Sequence, residues 1–159
     1  MSSVHSNTKH PKVTARRNLS YVFTPKHHGG DKKASCWLPA LIPDGEFAIF
    51  DRADGIVVKS DGEDNRQVAD AAGNLYGYET VAGGSLRELG TWHQQMAEFP
   101  VQAQGAEWHG YPIWPIGPQA PLNKQGQRCR PDARVFDRMV QLGDISSGQG
   151  KRLKKGDWI

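Results

Sequence analysis

DGEFAIFDRADGIVVKSDGEDNRQVADAAGNLYGY, residues 44–78, decides the reading of the fold, because short β-prone runs alternate in it with dipeptides suited to tight turns. Phe47-Ala48-Ile49-Phe50, Ile56-Val57-Val58 and Leu75-Tyr76-Gly77-Tyr78 are the predicted strands, with Arg66 to Ala69 a weaker one. Their punctuation is Asp44-Gly45, Asp54-Gly55, Asp61-Gly62 and Gly73-Asn74. Asp-Gly and Gly-Asn supply the positive-φ positions that tight hairpins require, so an antiparallel meander over about 44–82 is the economical solution.

Toward the C-terminus the periodicity turns helical. Ser85 with Glu88, and Thr91 with Gln94, both fit the capping box, in which a hydroxyl accepts from the N3 amide and the N3 side chain returns to the cap. From the second start, Trp92, Met96 and Phe99 recur at i, i+4 and i+7 until Pro100, which predicts a helix near 91–99. The clearest helix spans about 131–142: Pro131 suits its first position, Asp132 its positive end, Val135, Phe136, Met139 and Leu142 its apolar face, and Gly143 its stop. A shorter helix runs from Ser147 to Lys155 and stops at Gly156, with Gly148 and Gly150 weakening it by roughly 1 kcal/mol each relative to Ala. The expected class is α+β, a small antiparallel meander packed by two or three helices, with a polyproline-rich arm and a C-terminal helix pair.

The 159 residues suffice for one domain able to bury a core without disulfides. An apolar fraction of 37%, with Gly 18 and Pro 10, predicts much turn and irregular structure around that core. Residues 1–33 are expected to form a basic, largely flexible arm, pinned once by the apolar patch Leu19–Phe23, and residues 34–159 a single compact domain. No stretch is long and apolar enough for a membrane span, and Met1 to Lys12 has no signal-peptide core, so a cytoplasmic location is expected. Cys36 and Cys129 lack CxxC spacing; one disulfide and two thiols both remain open.

Charge is sorted along the chain. Residues 1–33 carry net +6, residues 34–123 net −8 and residues 124–159 net +5, which restores the overall +3. Such sorting bears on partners and steering rather than on fold. Nucleic acid, RNA or DNA, and a basic protein partner are the two partner classes it admits.

Trp108 to Pro121 places prolines at 112, 115, 118 and 121, the polyproline II period. Such a run is either a ligand for an aromatic groove or an extended arm across the core, and its Trp108, Tyr111, Ile113, Trp114 and Ile116 fit the arm. His93, and His109 with Glu107 two residues before it, form the one acid–base constellation; two histidines beside a cation can cleave RNA without a metal. His27-His28 sit in a Gly-flanked basic loop that could join such a site. No spacing matches a zinc or EF-hand site, Asp61 to Asn65 reads as a hairpin tip, and Walker A, GxGxxG and GxSxG motifs are missing, so neither cofactor nor metal is expected.

The C-terminal run, Phe136 to Ser147, leads from one helix through a Gly turn into another carrying Lys151, Arg152, Lys154 and Lys155. Helix, turn, basic helix is the layout of a helix-turn-helix, whose second helix meets nucleic acid. With its Leu-Gly, paired Ser and final Arg-Leu-Lys-Lys-Gly, the run also resembles, over about two dozen residues, the helix pair of α-L RNA-binding modules. The resemblance implies RNA binding. The leading expectation is therefore non-catalytic nucleic-acid association through Arg16 and Arg17 in the arm and Lys151, Arg152, Lys154 and Lys155 on the last helix. The alternatives are a protein-interaction or inhibitor module with an acidic central face, and a small metal-independent nuclease or toxin-like enzyme using His93, His109 and Glu107.

Overall fold

The computed structural model describes residues 12–13, 19–23, 28, 36–59, 62–82, 84–113, 131–157 and 159. In chain order these form β1 (Lys12–Val13), β2 (Ser20–Tyr21), a 3-10 turn (Pro39–Leu41), α1 (Asp44–Asp54), β3 (Ile56–Lys59) and β4 (Gly62–Asn65). There follow β5 (Leu75–Gly77), β6 (Thr80–Val81), β7 (Ser85–Leu86), β8 (Met96–Phe99), β9 (Tyr111–Ile113), α2 (Ala133–Gln141) and α3 (Ser147–Lys154). The class is α+β.

The sheet that organises the molecule is β5-β8-β9, antiparallel throughout, with Leu75 opposite Phe99, Tyr76 opposite Glu98, and Glu98 in turn opposite Tyr111. Side chains alternate across a strand, so this register sorts residues between two faces. On one face Leu75, Ala97 and Phe99 join Ile49, Phe50 and Ala53 of α1 and Tyr21, Trp37 and Trp108 in a first apolar cluster. On the other, Tyr76, Met96 and Ile113 join Val135, Phe136 and Met139 of α2 and Leu153 of α3 in a second. The sheet is thus covered by helices on both sides. Gly77 permits a close approach of α1: a Cβ there would lie 2.6 Å from the Ile49 γ-methyl, so α1 packs directly against backbone.

Two predicted elements are corrected. Residues 47–50 are helical, because Glu46, Ile49, Phe50 and Ala53 bury one face at i, i+3, i+4 and i+7, while Asp44 and Glu46 sit at the positive helix end. Asp54-Gly55 is accordingly a helix stop rather than a hairpin turn, with Gly55 left-handed at φ +69°. The second correction concerns 91–99, where Trp92 is 42% exposed and Met96–Phe99 is the central strand β8. Gln94, read as the return arm of a capping box, instead accepts the Trp92 amide at 2.9 Å and shapes a tight turn in which His93 has φ +66°. Ser85, the other supposed cap, belongs to β7.

Over 44–82 the strands belong to three sheets, β3-β4, β5-β8-β9 and β6-β7, while α2 and α3 lie where expected with small shifts. β3 and β4 form a hairpin in which Gly62–Asn65 is strand, not tip; Arg66 to Ala69 contributes only a bridge from Ala69 to Leu75. α2 is capped by Asp132, whose carboxylate accepts the Arg134 amide, and α3 ends at Gly156. The core reaches back to residue 19, since Tyr21 and Phe23 are buried in the first cluster and Lys12–Val13 pair with Ser20–Tyr21. Of the proline-bearing run, Trp108 and Ile113 are buried and Tyr111–Ile113 is strand β9, with Pro112 opposite Ala97 of β8. Residues 114–121 and Cys129 lie outside the described residues. Among the described residues no helix is long and apolar enough to cross a membrane.

Candidate functional site

The α2–α3 pair is held by three local devices. α2 ends in a Schellman motif, Gly143 at φ +81° with its amide on the Val140 carbonyl and the Asp144 amide on that of Met139, at 3.0 and 3.1 Å. α3 opens with a full capping box: the Gln149 amide donates to Ser146 Oγ at 3.1 Å, and the Ser146 amide to Gln149 Oε1 at 2.8 Å. Gly150 lets the two helices touch, a Cβ there falling 2.8 Å from the Val140 γ-methyl. Leu153 is fully buried and fixes the rotation of α3. At 100° per residue, Lys151, Arg152 and Lys155 then fall within an arc of about 100° facing away from Leu153, and all three are exposed. Lys154 is turned aside into an ion pair with Asp137 of α2. The chain end docks nearby, the Ile159 amide and carbonyl bonding Gln95 Oε1 and Nε2 at 3.0 and 2.6 Å.

Under the α2–α3 turn lies a cavity of about 160 Å³ lined by the end of α1, β5 and the turn itself. Asp144 reaches into it, accepting from Tyr78 OH at 2.5 Å and from Arg66 Nη2 at 3.0 Å. Arg66 Nη2 also donates to the Leu142 carbonyl at 3.2 Å, tying β4's exit to the turn. Arg52 pairs with Glu79 at 3.3 Å, and Arg87 reaches the same carboxylate at 3.0 Å. The Arg87 hydrogen bond, and then Arg52, hold Glu79 below the usual carboxylate range against its partial burial. Burial, then the Asp144 hydrogen bond, push the Tyr78 phenol upward, so it remains a donor at neutral pH.

Two further titratable clusters lie in the core. Glu98 sits between Tyr76 and Tyr111 across the sheet; burial first, and then the negative charge of Asp70, push its carboxyl up to about 7. Asp70 moves the other way: burial opposes its charge, but hydrogen bonds from Asn74, Tyr76 and the Ala72 amide outweigh it. Glu46, 1% exposed, accepts from Tyr21 OH and meets His28 Nε2 at 2.5 Å, tying the first cluster to α1. Burial, then Glu46, raise the Tyr21 phenol well above its ordinary value.

The predicted site residues are brought together only in part. Lys151, Arg152 and Lys155 share a face; Arg16 and Arg17 lie outside the described residues. His93 precedes β8 and His109 precedes β9, and because these strands are antiparallel the two histidines stand at opposite ends of the ladder. The His93 imidazole is 75% exposed and bonds Glu88 at 3.0 Å, while Glu107 is exposed and His109 half-buried. Among the described residues no three His, Cys, Asp or Glu side chains converge as a metal site. The cavity residues Arg52, Arg66, Tyr78 and Asp144 escaped sequence reasoning, since 78 positions separate Arg66 from Asp144. Glu98 did leave a signal, as the single charge within an apolar β run. No protein-family model, curated protein sequence or solved structure matches the chain.

Proposed function

We propose that this protein associates with nucleic acid without catalysing a reaction on it, and that α3 is its contact helix. The observation that carries this reading is the exposed cationic face of Lys151, Arg152 and Lys155 on a helix whose rotation is set by Leu153 and whose start is fixed by a capping box. Cations at a helix C-terminus also complement its dipole, so the arrangement is stable before any partner arrives. Phosphate contacts of this kind position a protein on nucleic acid without reading sequence.

Lys154 is ion-paired with Asp137 of α2, which supports a part for it in holding α3 on α2. The test is fluorescence anisotropy with labelled RNA and DNA at roughly 50 mM salt, where phosphate contacts are strong. Replacing Lys151, Arg152 and Lys155 together by Gln is expected to weaken binding at least about tenfold on every sequence, and Lys154→Gln alone to change it less than about threefold. Wild-type protein that binds neither nucleic acid at this salt contradicts the proposal.

A further inference from the structure

We infer that the cavity beneath the α2–α3 turn is a binding site for a dianionic phosphate monoester, held by Arg52 and Arg66. Its position is unexpected from the sequence, because residues 34–123 are net −8. Yet two of the four basic residues in that block, Arg52 and Arg66, line this one cavity, and Arg87 reaches the Glu79 carboxylate that pairs with Arg52. Arg138 of α2 donates to the Gln67 and Asn65 carbonyls on either side of Arg66. Among the lining residues two guanidinium groups, Arg52 and Arg66, stand against one carboxylate, Asp144, while Glu79 pairs with Arg52 and the buried Asp54 separates the lining residues Ala53 and Gly55. The C-terminal end of α1 adds roughly half a negative charge. The lining stays net positive, which suits an anion.

Donor chemistry and size agree with the charge. Both hydrogen bonds of Arg66 leave from Nη2, so its Nη1 and Nε edges remain available among the described residues. A guanidinium presents five N–H donors in a fork that matches phosphate oxygens. Asp144 orients that fork rather than consuming it, and is itself fixed by Tyr78. Arg52, with its side chain 55% exposed, stands at the mouth, and Thr80, Gly55 and Gly77 share the wall with Ala53, Val68 and Tyr76. A volume of about 160 Å³ is about five waters' worth, well short of a drug-sized pocket. It takes one small anion, or the anionic end of something larger. A free metabolite and the 5′ end of a nucleic-acid strand both present this group.

The experiment is amide and arginine-side-chain NMR of the full chain titrated with inorganic phosphate, with 5′-AMP, and with a short oligonucleotide carrying a 5′-phosphate or a 5′-hydroxyl. Saturable shifts at Gly55, Arg66, Gly77 and Thr80 are expected with phosphate, reduced at least about tenfold in apparent affinity by Arg66→Gln and by Arg52→Gln. Both side chains are substantially exposed, and the rest of the spectrum reports whether each variant keeps its fold. The same shifts with the 5′-phosphorylated but not the 5′-hydroxyl oligonucleotide assign the group to a strand end; shifts with 5′-AMP alone assign it to a metabolite. Shifts absent with every probe, equal with acetate, or confined to α3 overturn the inference. Because the triple Gln variant of α3 leaves the cavity untouched, phosphate shifts in that variant stand whether or not nucleic acid binds there.

Discussion

Glu98 illustrates how one carboxyl carries both packing and pH response. It occupies the centre of the sheet between two tyrosines, and its carboxyl is held near 7 where an unfolded chain would have about 4.5. The folded state therefore binds a proton that the unfolded state releases, so this group stabilises the fold at low pH. That contribution is lost as pH rises from about 4.5 through 7. Asp70 and Glu79, both held low, contribute with the opposite sign and lose their stabilisation only in acid. Glu98→Gln removes the charge and keeps the shape. The variant is expected to exceed wild type in stability by on the order of 1–3 kcal/mol at pH 8, with the difference vanishing below about pH 4.5. Urea unfolding at both pH values measures this; equal stability at pH 8 contradicts it.

At the level of elements, the two glycines of α3 separate propensity from packing. A Cβ on Gly148 meets nothing nearer than Ser146 Oγ at 3.9 Å, whereas one on Gly150 comes within 2.8 Å of Val140. Gly148→Ala is expected to stabilise by about 0.5–1 kcal/mol through helix propensity. Gly150→Ala is expected to destabilise by about 1 kcal/mol or more, since α3 must move off α2. Thermal unfolding of the pair measures both signs. These helices were legible in the sequence because their signals are local: Asp132, Gly143, Ser146 with Gln149, and Gly156 all sit where caps and stops belong. α1 and β8 were not, for opposite reasons. Phe47 to Phe50 is apolar enough to pass for a strand, and only the buried Glu46 and the later Ala53 complete its helical face. β8 is buried on both faces, so it lacks the alternation that marks a half-exposed strand, and the spacing of Trp92, Met96 and Phe99 imitated a helix.

Across the whole molecule, the sheet divides two apolar clusters, and α2 with α3 close the second. Met139, fully buried there, is expected to cost about 2–5 kcal/mol on replacement by Ala, read as a lowered urea midpoint with unchanged slope. The cationic face of α3 was legible because four charges and one Leu within five residues fix its orientation. The arginine-lined cavity was hidden, since it is assembled from α1, β5 and a turn far apart in the chain and lies inside a block of opposite net charge. Nucleic-acid association through α3 is the central claim, and its most direct measurement is the slope of log affinity against log salt. Wild type and the Lys151→Gln, Arg152→Gln, Lys155→Gln variant are compared on duplex DNA by anisotropy. The slope is expected to shallow by about 2.7 in the variant, three lost phosphate contacts at about 0.9 each. An unchanged slope contradicts the assignment of α3 as the contact helix.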